Sequence, residues 1–298
     1  MSVKEKKAVL LAALSGCMWG SIGLFVNKLG SFGIRSTELT VGRFWIASAL
    51  LGLFLVVFRK ELLKIRLKDL PWFCVTGIFC LLFFNVSYGI AIEKSSMPVA
   101  AVLLYTSPAI VTIISTVVFR EKITVRKVLA VFLAVIGCAF VSGIMSGFLA
   151  YPSEAYLWGF GAALGYALYS IVAGILLKRY HSITILFYSF LLAAVGGCVL
   201  EDIQGITNSV AQNLYSGLWL VGAALVCNVF PYLCYNFALK YLEPSRVSIV
   251  ASIEPAVASL LGVVVLKESM DFFGVLGVVC ILGAIMILNS PKRRSNEG

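Results

Sequence analysis

Charge is what this sequence has least of. Of 298 residues only 13% are Asp, Glu, Lys or Arg, against 60% hydrophobic. A soluble globule of this length needs far more polar surface than that. There are three aspartates, Asp69, Asp202 and Asp271, and one histidine, His181, all in connections or at the ends of apolar runs. A catalytic constellation has little to be built from, so an enzyme is not expected. The eight cysteines include no Cys-x-x-Cys pair and lie inside apolar runs. That spacing excludes a metal site and a secreted disulfide framework, and no cofactor is expected. No G-x-x-x-x-G-K-[ST] run is present, so a nucleotide-driven machine is not indicated. Alternating ten-residue segments, which a membrane barrel requires, are absent as well.

What is there is apolar length. With a mean hydropathy of +0.99, runs able to cross a hydrocarbon core of about 30 Å can be drawn at 8–28, 37–58, 70–92, 97–119, 124–144, 156–177, 182–200, 214–239, 244–266 and 271–289. The chain reads as an all-α integral membrane protein of ten transmembrane helices. Connections are short, so function must sit within the bundle. Nineteen of the twenty-four basic residues fall on one side, including Lys4 to Lys7, Arg59 to Lys68, Arg120 to Lys127 and the tail Lys292-Arg293-Arg294. The positive-inside rule makes that side cytoplasmic, with both termini on it. Cationic residues dispersed over short turns account for the +10 net charge without a nucleic-acid partner.

The ten spans read as one five-helix unit written twice, about 147 residues apart. Tyr88-Gly-Ile-Ala91 returns as Tyr235-Asn-Phe-Ala238, Pro108-Ala109 as Pro255-Ala256, and Arg120-Glu121 as Lys267-Glu268. Gly16-x-x-x-Gly20 returns as Gly161-x-x-x-Gly165. Residues 1–150 and 151–298 are the two units. An odd helix count makes the second enter the membrane inverted, the plan of many secondary transporters, whose site lies near midplane between the halves. The two glycine pairs, with Gly143 and Gly147, let helices approach closely where lipid offers no drive for association. Pro108 and Pro255 fall mid-span and free the carbonyls of Leu104 and Ala251. Such carbonyls need partners, and irregular backbone at this depth survives where it is buried or faces a cavity.

The repeated Tyr-x-x-Ala, the mid-helix proline, the closing Arg/Lys-Glu and the following Gly137 and Gly277 resemble the EamA-type branch of the drug/metabolite transporter superfamily. The resemblance covers the whole chain. It implies two inverted five-helix units around a central cavity walled by the first four helices of each, with the fifth and tenth peripheral. It also implies export of amino acids and other small metabolites, others in the superfamily carrying drugs or nucleotide sugars.

Ionised side chains inside a membrane are function-suspect, and only Arg43 and Glu254 are clearly interior. Glu254, just before Pro255, is the candidate for meeting a substrate ammonium or relaying a proton. Arg43 reads as its charge partner, and family helices often carry an arginine there whatever the substrate. Asn85, Tyr88, Asn228, Tyr232 and Tyr235 lie on corresponding helices of the two units, and Trp19, Tyr105, Ser107 and Tyr166 complete the expected substrate site. One carboxylate, one arginine, amides and aromatics suit a small zwitterion. A lipophilic cation is the rival cargo, and a scramblase or channel the rival class. The remaining partners expected are membrane lipid and, at most, a second copy, since two fused units make a monomer sufficient.

Overall fold

The computed structural model describes residues 2–143, 151–201, 214–265, 267 and 270–290. Among these every regular element is helical. In order they are α1 (Val3–Gly30), α2 (Ser36–Phe58), α3 (Leu67–Lys94), α4 (Val99–Val118), α5 (Val125–Val141), α6 (Ser153–Leu176), α7 (Ser182–Gly197), α8 (Leu214–Tyr241), α9 (Pro244–Val265) and α10 (Phe272–Asn289). Eight are long and apolar enough to cross a membrane. The exceptions are α5, with 17 residues, and α7, with 16. The runs at 124–144 and 182–200 thus give shorter helices than hydropathy suggests. Thr124 caps the start of α5, and Gly143 closes its end in the left-handed region at φ 68. Glu268, Gly147, Asp202 and Lys292 to Arg294 lie outside the described residues.

Packing pairs α1 with α8, α3 with α6, α2 with α7 and α5 with α10. Exchanging the two halves of the chain turns the first pair into the second and leaves the other two unchanged. Local geometry repeats as well. The non-glycine residues with positive φ, among those described, are Arg120 (56) and Lys267 (61), at matching turns after α4 and α9. Such a conformation is uncommon for a residue with a Cβ. Both α3 and α8 widen to a π-helix, over Val75–Phe83 and Leu225–Val229, in matching parts of the repeat. These segments contain no proline, so sequence gives no warning of them.

The glycines set how closely the helices approach. A Cβ on Gly137 would stand 2.8 Å from the Gly277 carbonyl oxygen, and one on Gly277 would stand 2.6 Å from that of Gly137, so α5 and α10 touch backbone to backbone. The first glycine pair does the same between α1 and α9. Gly16 faces the Ala251 carbonyl, and a Cβ on Gly20 would stand 2.6 Å from that of Glu254. The carbonyl that Pro255 frees therefore points at a glycine. The second pair differs. Gly165 packs tightly on Phe84 of α3, but a Cβ on Gly161 would make only ordinary contacts, at 3.4 Å to the Phe83 ring and 3.8 Å to the Ser87 hydroxyl. Gly143, expected to pack helices, instead closes the turn after α5, and among the described residues a Cβ there would meet nothing within 4 Å.

Candidate functional site

Three helices interrupt their hydrogen bonding near the middle of the bundle. α1 breaks at Ser21, α4 at Tyr105 and Thr106, and α9 at Ser252 and Ile253. The last two breaks sit just ahead of Pro108 and Pro255, where the sequence places them. Hydroxyls nearby take up backbone acceptors: Thr106 donates to the Leu103 carbonyl at 2.6 Å and Ser252 to that of Ile249 at 2.9 Å. The break in α1 has no proline to announce it. Ser21 donates to the Met18 carbonyl at 2.7 Å there.

Beside these breaks the aromatics of α1, α6 and α8 close on one another. The Trp19 ring lies 5.0 Å from Tyr232, 5.3 Å from Tyr235 and 6.0 Å from Tyr166, and Tyr169 lies 4.9 Å from Tyr232. Polar tips are tied down: the Trp19 indole donates to the Cys227 carbonyl at 3.2 Å, the Tyr169 hydroxyl to Asn236 at 3.2 Å, and the Tyr235 and Ser170 hydroxyls pair at 2.6 Å. The void they enclose, also lined by Cys80, holds about 10 Å³. That is room for one water at most. The cluster is a plug in this conformation, not an open chamber.

Glu254 opens the second piece of α9, where the helix N-terminus favours a carboxylate. It is partly exposed although it sits mid-helix. Tyr105 lies against its carboxyl group, with Tyr88, Tyr166 and Tyr232 within electrostatic reach. Tyr166 belongs to both groups, joining plug to acid. Of the other expected site residues, Asn85 donates to the Leu81 carbonyl of its own helix at 2.7 Å. Ser107 and Asn228 are buried, and among the described residues the Ser107 Oγ and Asn228 Oδ1 have no hydrogen-bond partner.

Arg43 is not Glu254's direct partner. It is 5% exposed, and no ion pair joins the two. Its neighbours are Cys227 and Tyr232. Counting interior charges matched one anion with one cation, but α2 and α9 present them at separate places.

A second cluster sits on the side where α1 begins and α10 ends. Lys127 of α5 reaches Glu121, after α4, at 2.8 Å and Glu243, before α9, at 2.7 Å, while the Ser245 hydroxyl donates to Glu121. The Lys127 and Glu121 side chains are 7% and 4% exposed. This group ties the first half of the chain to the second. Beside it opens a cavity of about 580 Å³ between the ends of α4, α6 and α8, with Arg120, Lys178 and Lys240 on its wall. Sequence reading counted these charges only as topology signals. The buried acid in the Arg120-Glu121 turn was the available clue. Ser170 and Cys80 were likewise outside the expected site, and only their helical register beside Tyr166 and Tyr235 could have placed them. His181 accepts the Ile183 amide at 3.3 Å as a helix cap. Among the described residues no group of His, Cys, Asp and Glu could hold a metal ion.

Comparison with known proteins gives one answer throughout. An uncharacterized transporter of Bacillus subtilis, YxxF, is 26% identical over 293 residues, covering 96% of this chain and 91% of its own length. One from Archaeoglobus fulgidus is 26% identical, covering 95% and 98%. The uncharacterized inner membrane transporter YicL of Salmonella typhimurium is 22% identical, covering 97% of each. A solved crystal structure superposes with a TM-score of 0.77 at 16% identity, over 95% of this chain and 96% of that one, which establishes likeness of fold. The model of the EamA-like transporter family matches twice, at residues 6–143 and 153–290, and the chain belongs to that family of membrane transporters.

Proposed function

We propose that this protein is a secondary transporter that exports small amino-acid-like metabolites across the cytoplasmic membrane by alternating access. The observation that carries the reading is Glu254. It is a carboxyl group at a helix break in the bundle interior, partly exposed, with tyrosines around it and an aromatic plug beside it. All ten helices span, with α5 and α7, about 24–26 Å long at 1.5 Å per residue, accommodated by local thinning of the bilayer. Residues 1–150 and 151–298 are inverted repeats, and both termini are cytoplasmic. The chain acts as a monomer or homodimer and catalyses no chemical reaction.

Alternating access needs one side sealed while the other admits solute. The side sealed here is that of the termini. There the Lys127 cluster joins the halves beside the cavity between the ends of α4, α6 and α8, and at mid-bundle the Trp19 plug closes the path behind it. Away from it, a Cβ on Gly23 or Gly89 would meet nothing within 4 Å among the described residues, and Tyr88 and Asn85 are partly exposed. The glycine asymmetry supports the same picture. Gly16 and Gly161 occupy matching places, yet one presses on backbone and the other meets a ring at ordinary distance. Two repeats in different conformations are what a carrier caught in one state contains.

A lipophilic-cation exporter is the second reading, because acid and aromatics also suit such a cargo. A thermal-shift screen of the detergent-purified protein against amino acids, amines, lipophilic cations and nucleotide sugars separates the two, since a ligand of the folded state raises its stability. Amino-acid hits are expected. Hits only from bulky cations would transfer the protein to drug efflux, and no hit in any class would direct attention to scramblase or channel activity. Glu254 is also the proposed proton site. In proteoliposomes Glu254→Gln is expected to keep solute exchange but lose the response to an imposed pH gradient, and an undiminished response removes that role.

A further inference from the structure

The connection from α2 to α3 carries Arg59, Lys60, Lys64, Arg66 and Lys68, more basic residues than any other connection. A topology signal needs only the number of such charges, not a fixed arrangement of them. Here the arrangement is fixed. Two short 3-10 helices, Lys60–Leu63 and Leu67–Asp69, shape the segment, and side chains from the other half of the chain hold its backbone. The Tyr180 hydroxyl accepts the Arg66 amide at 3.1 Å, while the Thr184 and Tyr188 hydroxyls donate to the Leu62 and Leu63 carbonyls at 2.8 and 2.7 Å. Buried Asp69 receives Arg179 at 2.8 Å and the Tyr180 hydroxyl at 2.6 Å. Ile65 packs on the cluster of Phe73, Val172, Leu176 and Ile185.

None of this pinning uses a lysine. Arg59 pairs with Glu61 at 3.5 Å, but among the described residues Lys60, Lys64, Arg66 and Lys68 make no ion pair, and all four are exposed. Lys64 and Arg66 have extended backbone, with φ/ψ of −75/118 and −83/130. Side chains alternate along such a stretch. With Ile65 turned into the protein, the two cations flanking it share the outer face. Phe58, Leu67, Leu70 and Trp72 are exposed beside them, Leu67 at 83%. Phe58 ends one apolar span and Trp72 lies in the first turns of the next, the level at which tryptophan meets lipid headgroups. An acidic soluble partner would match the cations and leave those apolar side chains unexplained. A phospholipid supplies phosphate and hydrocarbon together.

We infer that residues 59–72 are a docking site for anionic phospholipid of the leaflet on the side of the termini, with Lys64 and Arg66 meeting the headgroup phosphate and Leu67 and Trp72 the acyl region. The site stands whatever solute the chain moves. Because the segment belongs to the first half and is held by α6, α7 and the turn between them, a lipid seated on it fastens the two halves on that side. Bound lipid therefore raises the stability of the fold.

The test titrates the full-length protein in detergent with phosphatidylglycerol, phosphatidylcholine or inorganic phosphate and reads the concentration that half-saturates thermal stabilisation. Each cation near an anionic lipid surface is worth about fivefold in affinity. Phosphatidylglycerol is therefore expected to act at least about tenfold below phosphatidylcholine, with no stabilisation by inorganic phosphate at matching concentration. Lys64→Gln with Arg66→Gln should weaken phosphatidylglycerol at least about tenfold. Lys6→Gln with Lys122→Gln, the same loss of charge on the same side, should weaken it less than about threefold. Tyr180→Phe removes no charge but releases the Arg66 amide, and should weaken it about threefold because the segment is no longer held in shape. If the Lys64 and Arg66 double variant does not fold, Lys64→Gln alone, expected to weaken binding about fivefold, decides. Equal weakening by the two double variants would reduce the segment to diffuse charge and overturn the proposal, as would Tyr180→Phe with unaltered affinity. Phosphatidylcholine as effective as phosphatidylglycerol, or no stabilisation by either, would overturn it and leave the cations to an acidic soluble partner. Inorganic phosphate as effective as the lipid would overturn it in favour of a free-phosphate site.

Discussion

Lys127 and Glu243 touch each other, yet removing one should cost far more than removing the other. The Lys127 ammonium lies 2.8 Å from Glu121 and 2.7 Å from Glu243. Glu121 is buried with its Oε1 already unpartnered, whereas the Glu243 side chain is 54% exposed. Lys127→Met strands the Glu121 carboxylate with the Ser245 hydroxyl as its remaining recorded side-chain partner. Breaking a buried pair this way costs about 3–5 kcal/mol. Glu243→Gln leaves the buried pair intact and removes a half-exposed contact, worth up to about 1 kcal/mol. At roughly 2–4 °C per kcal/mol for a chain near this size, melting in detergent should fall by about 6–20 °C for Lys127→Met and by no more than about 4 °C for Glu243→Gln. Intrinsic tryptophan fluorescence reads both. Adding Glu121→Gln to Lys127→Met should recover a measurable part of the loss, because the stranded charge is gone. A Glu243→Gln protein as unstable as Lys127→Met, or a double variant no better than the single, would refute the assignment of Glu121 as the buried anion.

The remaining expectations concern packing and the plug. Gly20→Ala places a methyl carbon 2.6 Å from the Glu254 carbonyl oxygen, so overpacking of about 1–3 kcal/mol should lower the melting point and slow transport. Gly161→Ala meets Phe83 at an ordinary 3.4 Å and should be neutral or slightly stabilising in the same measurements. Tyr235→Phe breaks the 2.6 Å bond to Ser170 and leaves a buried hydroxyl unpaired, at a cost of about 1–3 kcal/mol. Tyr235→Phe with Ser170→Ala should recover part of it by thermal melt. Trp19→Ala removes the centre of the plug, and a cysteine placed at Tyr88 should then react with a membrane-impermeant thiol reagent supplied from the side of the termini. Unchanged labelling would mean that Trp19 seals nothing.

How much of this could be read beforehand follows from what sequence encodes. The doubled unit was legible because its motifs carry backbone consequences. Pro108 and Pro255 mark real breaks, and Arg120 and Lys267 adopt the same rare conformation. The fifth and seventh helices came out short because hydropathy continues past caps such as Gly143, which end a helix without a change in polarity. The break at Ser21 and the π-helical segments were invisible, since widening a helix needs no special residue type. Gly16 and Gly161 looked alike in sequence and differ in packing, because the one meets the backbone of α9 and the other only side chains of α3. Arg43 was paired with Glu254 by elimination, and only the geometry of α2 and α9 shows them apart. The Lys127 cluster was hidden among topology charges because its burial depends on helices from both halves meeting.

Whether the protein carries solute by alternating access is decided by counterflow. Purified protein in liposomes preloaded with unlabelled L-leucine or L-phenylalanine is given the labelled amino acid outside. A carrier working by exchange should take up label transiently above equilibrium, with a rate that saturates and that rises with solute on the far side. Flux that grows linearly with concentration and ignores the internal solute would contradict a carrier and assign the polar, broken helices to a pore.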